Sequence, residues 1–337
     1  EALNTLAEAM HVPVATSLNA KDAILDNNPL SVGVVGTYSR RSANQVVAEA
    51  DLVIFVGTRA GGMTTHFWTI PAKGTSTIQI DIDPLVNGRN YPTDVSIVGD
   101  ARVTLEKMNE LNVPVPKERI EWLKQVKEIC TSYKIDFKDL YESDAYPIRP
   151  ERIVNELSKG MPKNAVIVVD TGHSGMWMGG MFEKRHEGQS YIRSAGHLGW
   201  AFPAALGAKC GVPHRPVVCF MGDLGFWYHM AEVETAVRAG INTITIINNN
   251  NSGNMAKGSI SAIYDDQPTK ESQDIWVQNK INFAKIAENM GAVGIRVEKA
   301  NEIAPAFQKA LKLDKPVIID IATDIEIVAP KAWEPKT

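Results

Sequence analysis

The chain has 337 residues, 44% of them hydrophobic and 22% charged, which is enough apolar material for two domains with separate cores. A net charge of −4 gives no basis for a nucleic-acid or anionic-membrane surface. Cys130, Cys210 and Cys219 form neither a disulfide framework nor a C-x-x-C pair. The apolar runs are strand-sized, and neither a transmembrane segment nor a signal peptide is expected. The expected setting is therefore a reducing, cytoplasmic one without a membrane span.

The chain opens on "EALNTLAEAMHVPVATSL", an amphipathic helix with Leu3, Leu6, Ala7 and Met10 on one face, running into a strand at residues 13–18. Nothing precedes this half of a βα unit, so part of a longer polypeptide is expected. Further strands are predicted at residues 52–58 ("LVIFVGT") and 77–82 ("TIQIDI"), with helices at 41–50 and 103–111. Short β-branched runs alternating with amphipathic helices predict a parallel sheet covered on both faces. Gly57, Gly61 and Gly62 follow a strand directly, where such sheets take ligands. Tyr38, Arg40 and Arg41 in "GTYSRRSANQ" either face a nucleotide phosphate or face solvent. Residues 114–148, a charged helical stretch ("KERIEWLKQVKEICTSYK") followed by the polar "YESDAYPIRP" and closed by Pro147 and Pro150, read as a linker.

The second half restarts with the helix "PERIVNELSKG" and strands at 165–170, 216–221, 243–247, 294–297 and 316–322. Helices are predicted at 202–210, 229–239, 283–291 and 303–311. The predicted fold class is α/β, with two doubly wound parallel-sheet domains: residues 1–113, truncated at the start, and residues 149–337.

"GDLGF" at 222–226 and "NNNN" at 248–251 end consecutive parallel strands, so Asp223 and Asn250 fall on one sheet edge. A carboxylate, an amide oxygen and a backbone carbonyl there suit Mg²⁺, which takes oxygen ligands and shares its shell with phosphates. Gly222 permits close backbone approach, and a helix start offers N–H groups to phosphate. The plainer alternative is an aspartate capping a helix, with asparagines forming turns.

Gly-Asp, a helix, a strand and Asn-Asn at this spacing resemble the signature of thiamine-diphosphate enzymes in the acetolactate synthase, pyruvate oxidase and benzoylformate decarboxylase group. "DTGHSGMW" (170–177) is similar to the Asp-x-Gly segment whose loop and helix start touch the diphosphate. "SAGHLGWAFPAALGAK" (194–209) is similar to the bed of the aminopyrimidine, and "KPVIIDIATD" to the last strand of that domain. "EADLVIFVGTR" and "IDIDP" resemble the middle domain.

The resemblance implies thiamine diphosphate and Mg²⁺ as cofactors, with Asp223, Asn250 and the Ser252 carbonyl as metal ligands. His173, Ser174, Gly222, Leu224, Gly225, Gly253, Asn254 and Met255 would line the cofactor. Gly196 would accept the 4′-amino group through its carbonyl, and Leu198 would wedge the cofactor into its bent form. His197 would act on substrate or bond locally, and His229 would be structural. Many middle domains of this kind bind FAD, here through Gly57, Thr58, Arg59 and Asp81, while others keep the fold without it.

The implied activity is decarboxylation or carboligation of a 2-oxo acid. A hydrolase, an oxidase, a simple decarboxylase or an inert cofactor-binding fragment stays open. A dinucleotide oxidoreductase would want a G-x-G-x-x-G after a first strand, and none is found. Three positions depart from the family pattern: Leu224 and Gly225 after Asp223, and Ser174 where a histidine is common. The family's activating glutamate has no counterpart in the chain. The implied partner is therefore a pyrimidine-binding domain or chain in a homo- or hetero-oligomer, dimer or tetramer. The substrate-facing residues would come from that partner and from residues 253–278.

Overall fold

The computed structural model describes residues 1–111, 113–194, 196–267 and 269–335. The chain divides into two compact units, Glu1–Phe137 with the C-terminal residues from Lys331, and Lys138–Pro330.

In the first unit the elements are α1 (Ala2–Met10), β1 (Val14–Thr16), β2 (Ser31–Val34), α2 (Arg41–Ala48), β3 (Leu52–Val56), β4 (Ser76–Asp81), β5 (Val95–Val98) and α3 (Ala101–Asn109). All pairings are parallel: β1 with β2, and β3–β4–β5 as a separate sheet. The apolar face of α1 buries Leu6 against Ile80 of β4 and Leu105 of α3. Residues 117–141, read as a helical linker, form one 25-residue helix, α4 (Lys117–Tyr141). Its Val126 packs with Val32, Ala43 and Val46, so this stretch is packed structure and not a tether. The second predicted domain ran to residue 337, but the segment from Lys331 lies with the first unit. There the Asn44 amide donates to the Trp333 carbonyl (3.0 Å), and His66 meets Glu334 (2.7 Å).

The second unit runs α5 (Pro150–Gly160), β6 (Val166–Val169), α6 (His173–Met181), β7 (Ser190–Arg193), α7 (Ala201–Gly211), β8 (Val217–Gly222), α8 (Asp223–His229) and α9 (Glu232–Ala239). It continues with β9 (Ile244–Asn249), α10 (Lys257–Ile263), α11 (Lys270–Asp274), α12 (Phe283–Asn289), β10 (Val293–Val297), α13 (Ile303–Ala310) and β11 (Val317–Ala322). Six parallel strands form one sheet in the order β10-β11-β9-β8-β6-β7. The central strands are buried on both faces, which is why "VIVV" and "ITII" read as near-continuous hydrophobic runs. From β6 the chain steps outward to β7 and then returns to β8 on the other side. The switch point of the sheet therefore lies between β6 and β8, where open α/β sheets bind ligands beyond the strand ends.

One helix was predicted at 229–239, but a helix begins at Asp223 itself and a second follows. The short α8 is held by Phe226, fully buried, whose ring meets Phe202 (5.3 Å) and Phe283 (5.4 Å).

Candidate functional site

Two carboxylates flank the switch point. Asp170 follows β6 and Asp223 follows β8, and both are almost fully buried. Asp223 is held by main-chain donors: the Leu224 N–H reaches Oδ1 (2.6 Å) and the Ser252 N–H reaches Oδ2 (3.1 Å). Burial nevertheless dominates, raising its pKa from 3.8 to about 6 against the N–H bonds of Leu224, Ser252, Asn251 and Asn250. Among the described residues no ion pair engages it. A buried carboxylate without a cationic neighbour is costly unless a cation completes it.

The asparagine run differentiates residue by residue. Asn249 is fully buried and donates to the Ile281 carbonyl (3.0 Å) and to Asp320 Oδ1 (2.8 Å). Asn251 has φ +55°, the left-handed region that asparagine tolerates, and its side chain accepts the Ile281 N–H (2.9 Å). Between them Asn250 turns its Oδ1 toward Ser252, accepting the hydroxyl at 2.8 Å. Ser252 thus touches the amide oxygen of Asn250 through its hydroxyl and the carboxylate of Asp223 through its N–H. Asn248 completes the run in β9 with a buried Oδ1 that has no hydrogen-bond partner.

Asp320, from β11, holds this turn from behind. It is fully buried, receives Asn249 and the Phe283 N–H (2.7 Å), and pairs with Arg296 (2.7 Å). Leu224 closes the front: a Cβ on Gly253 would lie 3.2 Å from its Cδ2, so side chain and glycine are in contact. Among the described residues no group of three His, Cys, Asp or Glu side chains could hold a metal. Asp223 with neutral oxygens is instead the donor chemistry of Mg²⁺, and the uncompensated carboxylate fits it.

The remaining candidate residues divide. Ser174, buried in the first turn of α6, lies 3.6 Å from where a Gly222 Cβ would be. His173 is half-buried beside it, and burial lowers its pKa, which favours the neutral ring. Leu198 is half-buried with its Cδ1 3.4 Å from a Cβ on Gly225. Gly196 and His197 lie exposed on the same loop, and Met255 is exposed. The side chain of Asn254 is turned to the Ile325 and Ile327 carbonyls (3.0 Å each). His229 packs its ring edge against Gly199.

In the first unit, Gly57, Thr58 and Arg59 follow β3, and Asp81 ends the adjacent β4, so these four residues share one sheet edge. Arg40, considered for a nucleotide phosphate, is instead buried in an ion pair with Asp26 (3.0 Å), and Arg41 pairs with Asp136. Sequence reasoning missed Asp320 as a site residue, and it noticed Asp170 only as part of a segment. A lone aspartate in a strand run was the available signal for each.

Residues 1–108 match the thiamine pyrophosphate enzyme central domain, and residues 170–321 match the thiamine pyrophosphate enzyme C-terminal TPP binding domain. The chain belongs to the thiamine pyrophosphate enzymes. Curated relatives agree. A probable acetolactate synthase large subunit of Methanococcus aeolicus is 32% identical over 96% of this chain and 55% of its own length. A putative thiamine pyrophosphate-containing protein, YdaP, of Bacillus subtilis is 31% identical over 94% and 53%. The acetolactate synthase large subunit of Corynebacterium glutamicum is 30% identical over 95% and 51%. The chain spans about half the length of these relatives. Its parallel-only sheets agree with two domains of this enzyme family. Among the described residues no helix is long and apolar enough to cross a membrane.

Proposed function

We propose that the chain takes part in thiamine diphosphate- and Mg²⁺-dependent decarboxylation or carboligation of a 2-oxo acid, in the manner of an acetolactate synthase. The observation that carries this reading is the buried, uncompensated Asp223 joined to Asn250 through Ser252 at the switch point. Asp223, the Asn250 amide oxygen and the Ser252 carbonyl would hold Mg²⁺. Main-chain N–H groups at the start of α6, with His173 and Ser174, would bind phosphate oxygens beside Gly222, and those of residues 253–255 would do so from the other side. Leu198 would fill the space under the ring system, and the Gly196 carbonyl would accept its amino group. His197, exposed on that loop, would face substrate.

When bound, thiamine diphosphate supplies a nucleophilic carbon and a sink for the electrons left by CO₂. The protein's part is to neutralise the diphosphate charge and fix the ring. A pyrimidine-binding domain, in an oligomer, would supply the activating carboxylate.

Mass spectrometry of cofactors released from natively purified protein tests the reading. Thiamine diphosphate near one per chain, lost in Asp223→Ala, is the expected result. FAD released alongside would assign Gly57–Arg59 and Asp81 to it and favour a synthase. Absence of thiamine diphosphate after supply of cofactor and Mg²⁺ would overturn the proposal.

A further inference from the structure

The loop carrying Gly196, His197 and Leu198 has no regular structure of its own. Gly196 and Gly199 both take positive φ, +84° and +86°, so the loop reverses sharply between two left-handed glycines. Its anchor is Asp170. The Gly199 N–H donates to both carboxylate oxygens, at 3.1 and 2.9 Å, and the Thr171 and Ala201 N–H groups reach the same carboxylate. Asp170 thus fixes the loop and the start of α7 to the end of β6.

The opposite side of the carboxylate meets α8. A Cβ on Gly225 would lie 2.3 Å from Asp170 Oδ2, inside any real contact distance. Reciprocally, a Cβ on Gly199 would meet the Gly225 carbonyl at 2.7 Å and the Tyr228 Cβ at 2.8 Å. Loop and helix therefore touch backbone to backbone, with one carboxylate wedged between them. Gly225 lies two residues after Asp223 on that helix.

We propose that Asp170 is a positioning residue that sets the spacing between the Leu198 loop and the Asp223–Asn250 corner. The ring end and the diphosphate end of a single ligand are thereby held in register. This rests on the function proposed above. It also explains why glycine occupies position 225 in this chain: any side chain there displaces the carboxylate and, with it, the loop.

The test separates the two ends of the ligand. The native protein is titrated calorimetrically with thiamine diphosphate plus Mg²⁺ and, separately, with inorganic pyrophosphate plus Mg²⁺. In Asp170→Asn one amide NH₂ faces backbone N–H donors, so the loop loses its anchor. Thiamine diphosphate should bind about tenfold more weakly or worse, as expected for a lost hydrogen bond to a charged group. Pyrophosphate, held only at the Asp223 corner, should keep its affinity to within about twofold, under 0.5 kcal/mol.

Gly225→Ala, which leaves Asp170 intact, should give the same split, and it covers the case where Asp170→Asn fails to fold. In an Asp170→Ala background the added methyl has room, so Gly225→Ala should there change binding little. Parallel losses of both probes, or loss of neither, would overturn the positioning role. Wild-type protein that binds neither probe would instead overturn the function on which it rests.

Discussion

Replacing Asp223 by asparagine should stabilise the metal-free protein at neutral pH while abolishing its response to Mg²⁺. Burial raises the carboxyl pKa from 3.8 to about 6, so over that interval the folded state keeps a proton that the unfolded state releases. The stability this group contributes is full below its unfolded value near 3.8 and is lost as pH rises through about 6. At about 1.36 kcal/mol for each tenfold change in proton affinity, the loss is about 3 kcal/mol at pH 7.5. Asparagine carries no charge and escapes it. It recovers only part, because its NH₂ group faces the N–H donors of Leu224 and Ser252, a mismatch worth about 1–2 kcal/mol.

The net gain is then about 1–2 kcal/mol, or a rise in Tm of roughly 2–8 °C for a unit of this size. Thermal unfolding followed by circular dichroism in EDTA between pH 4 and 8 reads it directly. The variant should be the less stable of the two at pH 4, by about 1 kcal/mol, cross the wild type at about pH 5 and be the more stable above pH 6, and Mg²⁺ with pyrophosphate should raise the Tm of the wild type alone. A variant less stable than wild type by the same margin at pH 4 and pH 8 would refute the reasoning. The carboxylate would then be satisfied where it stands, with no need of a cation.

Asp320→Ala removes the acceptor for Asn249 and Phe283 and the partner of Arg296, and should lower stability by about 3–5 kcal/mol in urea unfolding. A loss below about 1 kcal/mol would mean that water replaces the carboxylate. Leu224→Gly deletes the contact with Gly253 and places glycine in the first turn of α8. It should reduce stability by about 1–2 kcal/mol and leave pyrophosphate–Mg²⁺ affinity no higher. Tighter pyrophosphate binding in this variant would show that the leucine obstructs the phosphate.

Strands β6, β8, β9 and β11 were legible because burial on both faces makes each a mainly apolar run, with Thr245 and Asp320 as polar exceptions inside them. "SVGV", "VSIV" and "SYIR", which form β2, β5 and β7, were not, since each is four residues long and interrupted by glycine or polar groups. Helix α8 escaped for a different reason. "DLGFWYH" carries no helical period, and one aromatic, Phe226, inserted between Phe202 and Phe283, does the holding. Helix α4 was legible as a helix but reads as a linker because most of its surface is solvated, with Val126 and Tyr133 its only buried residues among those described.

The site divides along the same line between local and topological information. Asp223 and Asn250 were visible because one strand–helix–strand unit fixes their separation along the chain. Asp170 and Gly225 meet only because β6 and β8 became neighbours after the chain had detoured through β7, and no spacing encodes that. The four asparagines show both limits at once. Their number suggested a polar function, but a single residue, Asn250, faces Ser252 and the Asp223 corner. Asn249 and Asn251 tie the turn to Asp320 and Ile281, supplying the rigidity that lets Asn250 stand in place before any ligand arrives. A run that looks repetitive in sequence is thus a set of unlike parts: two residues brace the strand end so that their neighbour can present an oxygen.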